Sequence, residues 1–178
     1  MASENAASDE AKAEARTAEL GAGLAGKYMT FKLAREEYGL GILKVREIIG
    51  LPEITRAPRT PDFLRGVINL RGKVIAVIDL RLKFGMSKLD PTDQTVIILV
   101  QYALAGQDVT MGILVDEVVD VMDLQASQIE PPPAFGAGAI DADFVLGVGK
   151  VDKRVIFLLD IGKVLTTDEV KKLAGASA

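Results

Sequence analysis

The sequence predicts a mainly β protein, made of two similar small barrels packed together, and three observations carry that prediction. Aromatic residues make up only 5% of the chain and Trp is absent, although nearly half of the residues are apolar. The core must therefore come mainly from Val, Ile and Leu, which suit pleated, half-buried surfaces. Short apolar runs with turn residues between them recur along the chain, as in barrels and sandwiches. A block of several such runs also occurs twice. With 178 residues the chain is long enough to bury a core of its own.

Residues 1–26 are rich in Ala and Glu and show little hydrophobic patterning. That composition supports a frayed helix as readily as a disordered tail, and the segment is assigned as a tail. It contains no signal-peptide-like apolar run, and no later stretch reaches membrane-spanning length without charges, so a cytoplasmic protein is expected. The folded domain is expected over residues 27–173, with 174–178 as a short second tail. It opens at Tyr28, where Met29, Phe31 and Leu33 alternate with Thr30 and Lys32 at the period of a half-buried strand. Further strands are predicted over Glu37–Leu43, Val74–Ile78, Thr95–Tyr102, Val109–Val115, Val118–Leu124, Phe144–Val151 and Val155–Leu159. Leu51-Pro52, Arg71-Gly72, Asp90-Pro91, Ala105-Gly106 and the run Pro131-Pro132-Pro133 punctuate them. Ile161, Val164, Leu165, Val170 and Leu173 recur at helical spacing behind Asp160, which predicts a C-terminal helix.

The repeat is the strongest internal signal. Asp62-Phe63-Leu64-Arg65-Gly66-Val67 returns as Asp143-Phe144-Val145-Leu146-Gly147-Val148, and Lys73 to Leu80 returns as Arg154 to Ile161, both with one shift of 81 residues. Upstream, Gly41-Ile42-Leu43 with Glu47 aligns with Gly112-Ile113-Leu114 with Glu117 if a one-residue gap is allowed. Two copies imply two barrels, each marginal alone, with the junction between them as a natural binding place.

Chemistry is scarce. The formal net charge of −4, from 21 basic and 25 acidic residues, does not invite nucleic acid or an anionic membrane. Neither His nor Cys is present, so the usual general base and thiolate nucleophile are missing and the chain cannot carry a phosphohistidine. No phosphate-cradling loop exists, since Gly21, Gly23 and Gly26 precede every strand. Asp116, Glu117, Asp120 and Asp123 alternate between faces and read as a solvated strand edge, so no metal or other cofactor is expected. Asp79 and Asp160 stand at equivalent points of the repeat, each before a short amphipathic stretch, and helix capping explains them better than acid–base catalysis. Val67 to Lys73 should project Asn69 and Arg71 from a hairpin or loop, and an exposed Arg suits a protein interface. Lys150 and Asp152 take their places in the second copy, so the two turns differ chemically.

Over Lys27 to about Leu173 the sequence resembles the CheW family of receptor–kinase coupling proteins of bacterial chemotaxis. Ile42-Leu43-Lys44-Val45-Arg46-Glu47-Ile48, Thr60-Pro61-Asp62-Phe63, Gly66-Val67-Ile68-Asn69-Leu70-Arg71-Gly72, Pro131-Pro132-Pro133 and Gly147-Val148-Gly149 carry the resemblance. It implies two five-stranded SH3-like barrels and a non-enzymatic adaptor. It further implies that Glu47, Asn69 and Arg71 bind the helical tip of a chemoreceptor, with Val45 and Val96 as apolar neighbours. Val118, Phe135, Gly147 and Val148 would bind the regulatory domain of the histidine kinase CheA. Arrays bringing copies of the chain together beneath the membrane are implied as well, without insertion into it. One departure is Ala76, where many relatives carry Pro; Ala restores a backbone donor to that strand. The competing readings are a barrel scaffold for a non-chemotactic kinase pathway and a hydrolase using Asp79 and Asp160.

Overall fold

In the computed structural model, which describes residues 2–56, 58–104, 106–132 and 144–164, strands dominate. In chain order the elements are α1 (Ala2–Leu24), β1 (Gly26–Leu33), β2 (Glu36–Gly41), β3 (Val45–Gly50), β4 (Leu64–Leu70), β5 (Lys73–Asp79) and α2 (Leu80–Lys83). They continue with β6 (Val96–Leu104), β7 (Gln107–Val115), β8 (Glu117–Leu124), β9 (Ile129–Glu130), β10 (Val145–Val151) and β11 (Arg154–Leu159). Single 3-10 turns occupy Ile42–Lys44, Ala126–Gln128 and Ile161–Lys163.

Two sheets result, ordered β8-β1-β2-β11-β10-β9 and β3-β6-β7-β5-β4. The hairpin β1–β2 lies in the sheet of the second repeat, and β6–β7 lies in the sheet of the first. The halves are thus interlocked by reciprocal exchange of a hairpin. Each exchange is made by a parallel junction, Val77 opposite Gly112 in one sheet and Leu158 opposite Gly39 in the other. Because Leu158 is the repeat mate of Val77, Gly39 is the structural mate of Gly112. The alignment of Gly41 with Gly112 drawn from sequence is therefore out of register, and Glu47 corresponds to Asp120 rather than Glu117. Both β3 and β8 carry a bulge at the matching place, with Glu47 opposite Leu99 and Asp120 opposite Thr30. On the same basis Val45 corresponds to Val118.

Alternation along these strands builds three apolar clusters. One barrel encloses Ile68, Ile75, Val77, Ile97, Leu99 and Leu114. The other encloses Tyr28, Leu124, Ile129, Ile156 and Leu158. The opposite faces of β1, β2, β6 and β7 meet in a third and larger cluster between the barrels, containing Phe31, Leu33, Tyr38, Leu40, Ile98, Val100 and Ile113. The few aromatics concentrate there, where Tyr38 touches Phe31, Phe84 and Phe157 with ring centroids 5.7–5.8 Å apart.

Several expectations are corrected. The N-terminal segment is helical from Ala2 to Leu24, consistent with the helix propensity of Ala and Glu. Its last turns dock on the second barrel, where Gly21 is buried and Leu24 packs on the barrel core. Tyr28 Oη donates 2.5 Å to the Leu24 carbonyl. The strand expected to reach Leu43 ends at Gly41, and Leu43 sits exposed on a 3-10 turn. Strands β3 and β4 were not anticipated, because Arg46 and Glu47 stand side by side in β3 and Arg65 and Gly66 in β4, so neither shows an unbroken apolar run. Of the predicted C-terminal helix, Ile161–Lys163 is a 3-10 turn, and the part beyond Val164 lies outside the described residues.

Candidate functional site

The β4–β5 connection is a two-residue turn, Arg71-Gly72, with Leu70 opposite Lys73. Both central residues have positive φ, 52° and 84°, the geometry whose twist matches a right-handed hairpin. Asn69 sustains it, since its Oδ1 accepts from the Gly72 N–H at 3.0 Å. The turn swings Arg71 across to β3, where its guanidinium pairs with the Glu47 carboxylate. This contact joins the two edges of the sheet and helps close the barrel. The Arg71 and Glu47 side chains retain 70% and 41% of their exposure. An ion pair so exposed is worth about 0–1 kcal/mol, so an incoming carboxylate can compete for the guanidinium at little cost.

The structure brings Asn69, Arg71 and Glu47 together. Val45 and Val96 lie elsewhere, half-buried against the cluster between the barrels. Val45 pairs with Val100 and Val96 with Gly50, so they stand at opposite ends of the β3–β6 ladder. Between them Ile48, opposite Ile98, is 40% exposed, and Leu43, just before β3, is 96% exposed. Neither Ile48 nor Leu43 was singled out from sequence as a binding residue. Strong apolar character at positions that join no core is the signal that marks them, and it requires the fold to be seen.

In the second barrel Val118 occupies the place of Val45, against the same central cluster. Gly147 and Val148 are buried on β10. A Cβ on Gly147 would stand 3.0 Å from the Glu130 carbonyl oxygen and 3.1 Å from Leu24 Cδ1. Gly147 therefore shapes the junction of β9, β10 and α1 and presents no side chain outward. Phe135 lies outside the described residues. Asp152 stands where Arg71 does, with φ of 54°, and Asp120 where Glu47 does. Two carboxylates thus replace an ion pair, and Lys150 pairs instead with Glu130 at 2.9 Å.

Three other acidic residues have structural partners. Asp79 accepts from the Arg81 and Leu82 amides and Asp160 from the Gly162 amide, as capping predicts. Asp116 departs from the solvated-edge expectation. It is half-buried, pairs with Arg81 at 2.5 Å and accepts from the Ala34 amide at 2.7 Å. Among the described residues no group of three acidic side chains is placed to hold a metal ion, and no helix is long and apolar enough to cross a membrane.

A family model described as the CheW-like domain matches residues 27–169. The chain belongs to the CheW family. It is 42% identical over 144 residues to the chemotaxis protein CheW of Klebsiella aerogenes, covering 81% of this chain and 84% of that one. With CheW of Bacillus subtilis it shares 33% identity over 139 residues, 78% of this chain and 86% of the relative. Its fold is similar to the crystal structure of the scaffolding protein TtCheW from Thermoanaerobacter tengcongensis, with a TM-score of 0.71 and 38% identity over 82% of this chain and 91% of that one. As a CheW-family protein the chain is a non-enzymatic chemotaxis scaffold. The CheW match begins at Lys27, so α1 stands before the region shared with the family.

Proposed function

We propose that the chain couples chemoreceptors to the histidine kinase CheA, one partner on each barrel, in the cytoplasm at receptor arrays. The observation that carries this reading is the Glu47–Arg71 pair, held on a rigid positive-φ turn and largely exposed. Arg71 would exchange Glu47 for a carboxylate of the receptor's helical tip, while Asn69 keeps the turn in shape. Val45 and Val96, with Ile48 between them, would supply the apolar part of the contact. The kinase regulatory domain would bind the second barrel around Val118 and Phe135, on the surface shaped by Gly147 and Val148. A scaffold of this kind acts by differential contacts, so a change in the receptor alters the population of kinase states without any bond being made here.

Pull-down of the full chain with a receptor cytoplasmic fragment and with a CheA regulatory domain tests the reading. Capture of both is expected, and capture of neither by folded protein would overturn it. Arg71→Glu should weaken the receptor fragment about tenfold or more and leave CheA binding near wild type, because it reverses charge at an exposed turn. Equal loss of both partners would remove the site assignment.

A further inference from the structure

The duplicated barrels differ at one mouth. In the second barrel the region beside Ile129 and Leu146 is filled by the end of α1, with Leu24 packed on the barrel core. Their counterparts in the first barrel are Ile54 and Arg65. Among the described residues no helix fills that place. Instead Ile54 and Arg65 line an open cavity of about 860 Å³ between the β3–β4 connection and the segment after α2. The volume lies within the range of small-molecule sites.

The lining has a definite chemical character. Arg56, Arg59, Arg65 and Lys88 contribute four cations, against the single carboxylate of Asp62, in a protein whose net charge is −4. Arg65 is partly engaged, 3.8 Å from the buried Asp79 carboxylate. Among the described residues Arg56, Arg59 and Lys88 have no acidic partner within ion-pair distance. Arg59 is also held at φ 59°, a conformation that non-glycine residues seldom adopt. Ile54, Pro58 and Pro61 add apolar wall between the charges. Cations in such excess over carboxylate repel one another, and an anion inserted among them relieves that repulsion. Arg56 and Arg59 line the cavity from one loop, and guanidinium groups suit the oxygens of a phosphate, which accept paired hydrogen bonds.

We propose that this mouth of the first barrel binds a small, multiply charged phosphate ester, whose phosphate oxygens sit on Arg56, Arg59 and Lys88 while its organic part rests on Ile54, Pro58 and Pro61. The site is separate from the Glu47–Arg71 turn, neither of whose ion-pair residues lines the cavity.

Isothermal titration of the full chain with ADP and, separately, with inorganic pyrophosphate, in magnesium-free buffer at low and at physiological salt, tests the proposal. Saturable one-to-one binding of ADP is expected, weakened at least about tenfold in the double variant R56E/R59E and unchanged in K12E, which reverses a cation on exposed α1. Circular dichroism and the thermal midpoint of each variant establish that it is folded. If R56E/R59E does not fold, Lys88→Glu alone serves, with a smaller loss expected. Tighter binding of ADP than of pyrophosphate would support the apolar wall. Absence of saturable binding, equal weakening in K12E, or capture of an acidic peptide without any phosphate ligand would overturn the proposal.

Discussion

Tyr38 shows how much a single side chain can be asked to give up. Its ring is fully buried at the centre of the aromatic contacts, yet its hydroxyl has no hydrogen-bond partner among the described residues. Burial, with a smaller contribution from Glu36, pushes its ionisation upward. A buried unpaired hydroxyl costs about 1–3 kcal/mol. Tyr38→Phe should therefore leave stability in urea unchanged or raise it by up to about 1 kcal/mol, and a clear loss would show that the hydroxyl has a partner. Asp79 is the opposite case, buried but fully used. Burial raises its pKa above the ordinary 3.8 and outweighs the lowering by the Leu82 and Arg81 amides and by Arg65. The folded state then holds the proton more tightly than the unfolded state, so stability falls as pH rises from 3.8 through the raised value. Asp79→Asn keeps a capping oxygen and removes this dependence. The stability of wild type relative to Asp79→Asn should decline as pH rises above 3.8, and a rise would refute the assignment. Capping by Asp79 and Asp160 was legible because it depends on neighbouring amides; the desolvation of Asp79 was not, because distant strands create it.

Among the elements, the β4–β5 hairpin depends on two glycines with different tasks. Gly72 supplies positive φ to a turn in open space, while Gly66, at φ 142°, lets the bulge approach Thr55. A Cβ there would come within 2.1 Å of the Thr55 carbonyl oxygen. Gly66→Ala is expected to cost about 3 kcal/mol or more, since backbone must move, and Gly72→Ala about 1 kcal/mol. Shifts in the urea midpoint rank the two, and an equal effect would contradict the close approach. The Arg71-Gly72 turn was readable from its residues, as were β1 and β5 to β8 from their apolar runs. Strand β3 was hidden because Arg46 and Glu47 stand side by side within it and interrupt the apolar pattern. The α1 helix was hidden because its propensity was visible but its docking partner, more than a hundred residues along the chain from Gly21 at Ala126, was not.

For the whole molecule, the reciprocal exchange of β1–β2 and β6–β7 makes the central cluster common property of both barrels. Neither half can unfold without stripping a hairpin from the other. Phe31→Ala, in the exchanged β1, should cost about 3–5 kcal/mol, as large-to-small changes in cores do. The variant should still melt in one transition, with circular dichroism and tyrosine fluorescence superimposing. Two separated transitions would show barrels that are independent rather than interlocked. The same interlock carries the Arg71 turn, the open cavity of the first barrel and the α1-filled mouth.

Taken by itself, the sequence determined the β class, the duplication of Lys73–Leu80 in Arg154–Ile161, the capping aspartates and the exposed Arg71 turn. All of these rest on contacts between near neighbours or on self-similarity within the chain. Only the tertiary structure decided that the hairpins are exchanged, that Glu47 matches Asp120 rather than Glu117, and that Gly147 and Val148 are buried beneath Leu24 and β9. These depend on which strands pair, and strand pairing is settled by burial of both faces at once, a long-range condition that no local pattern contains.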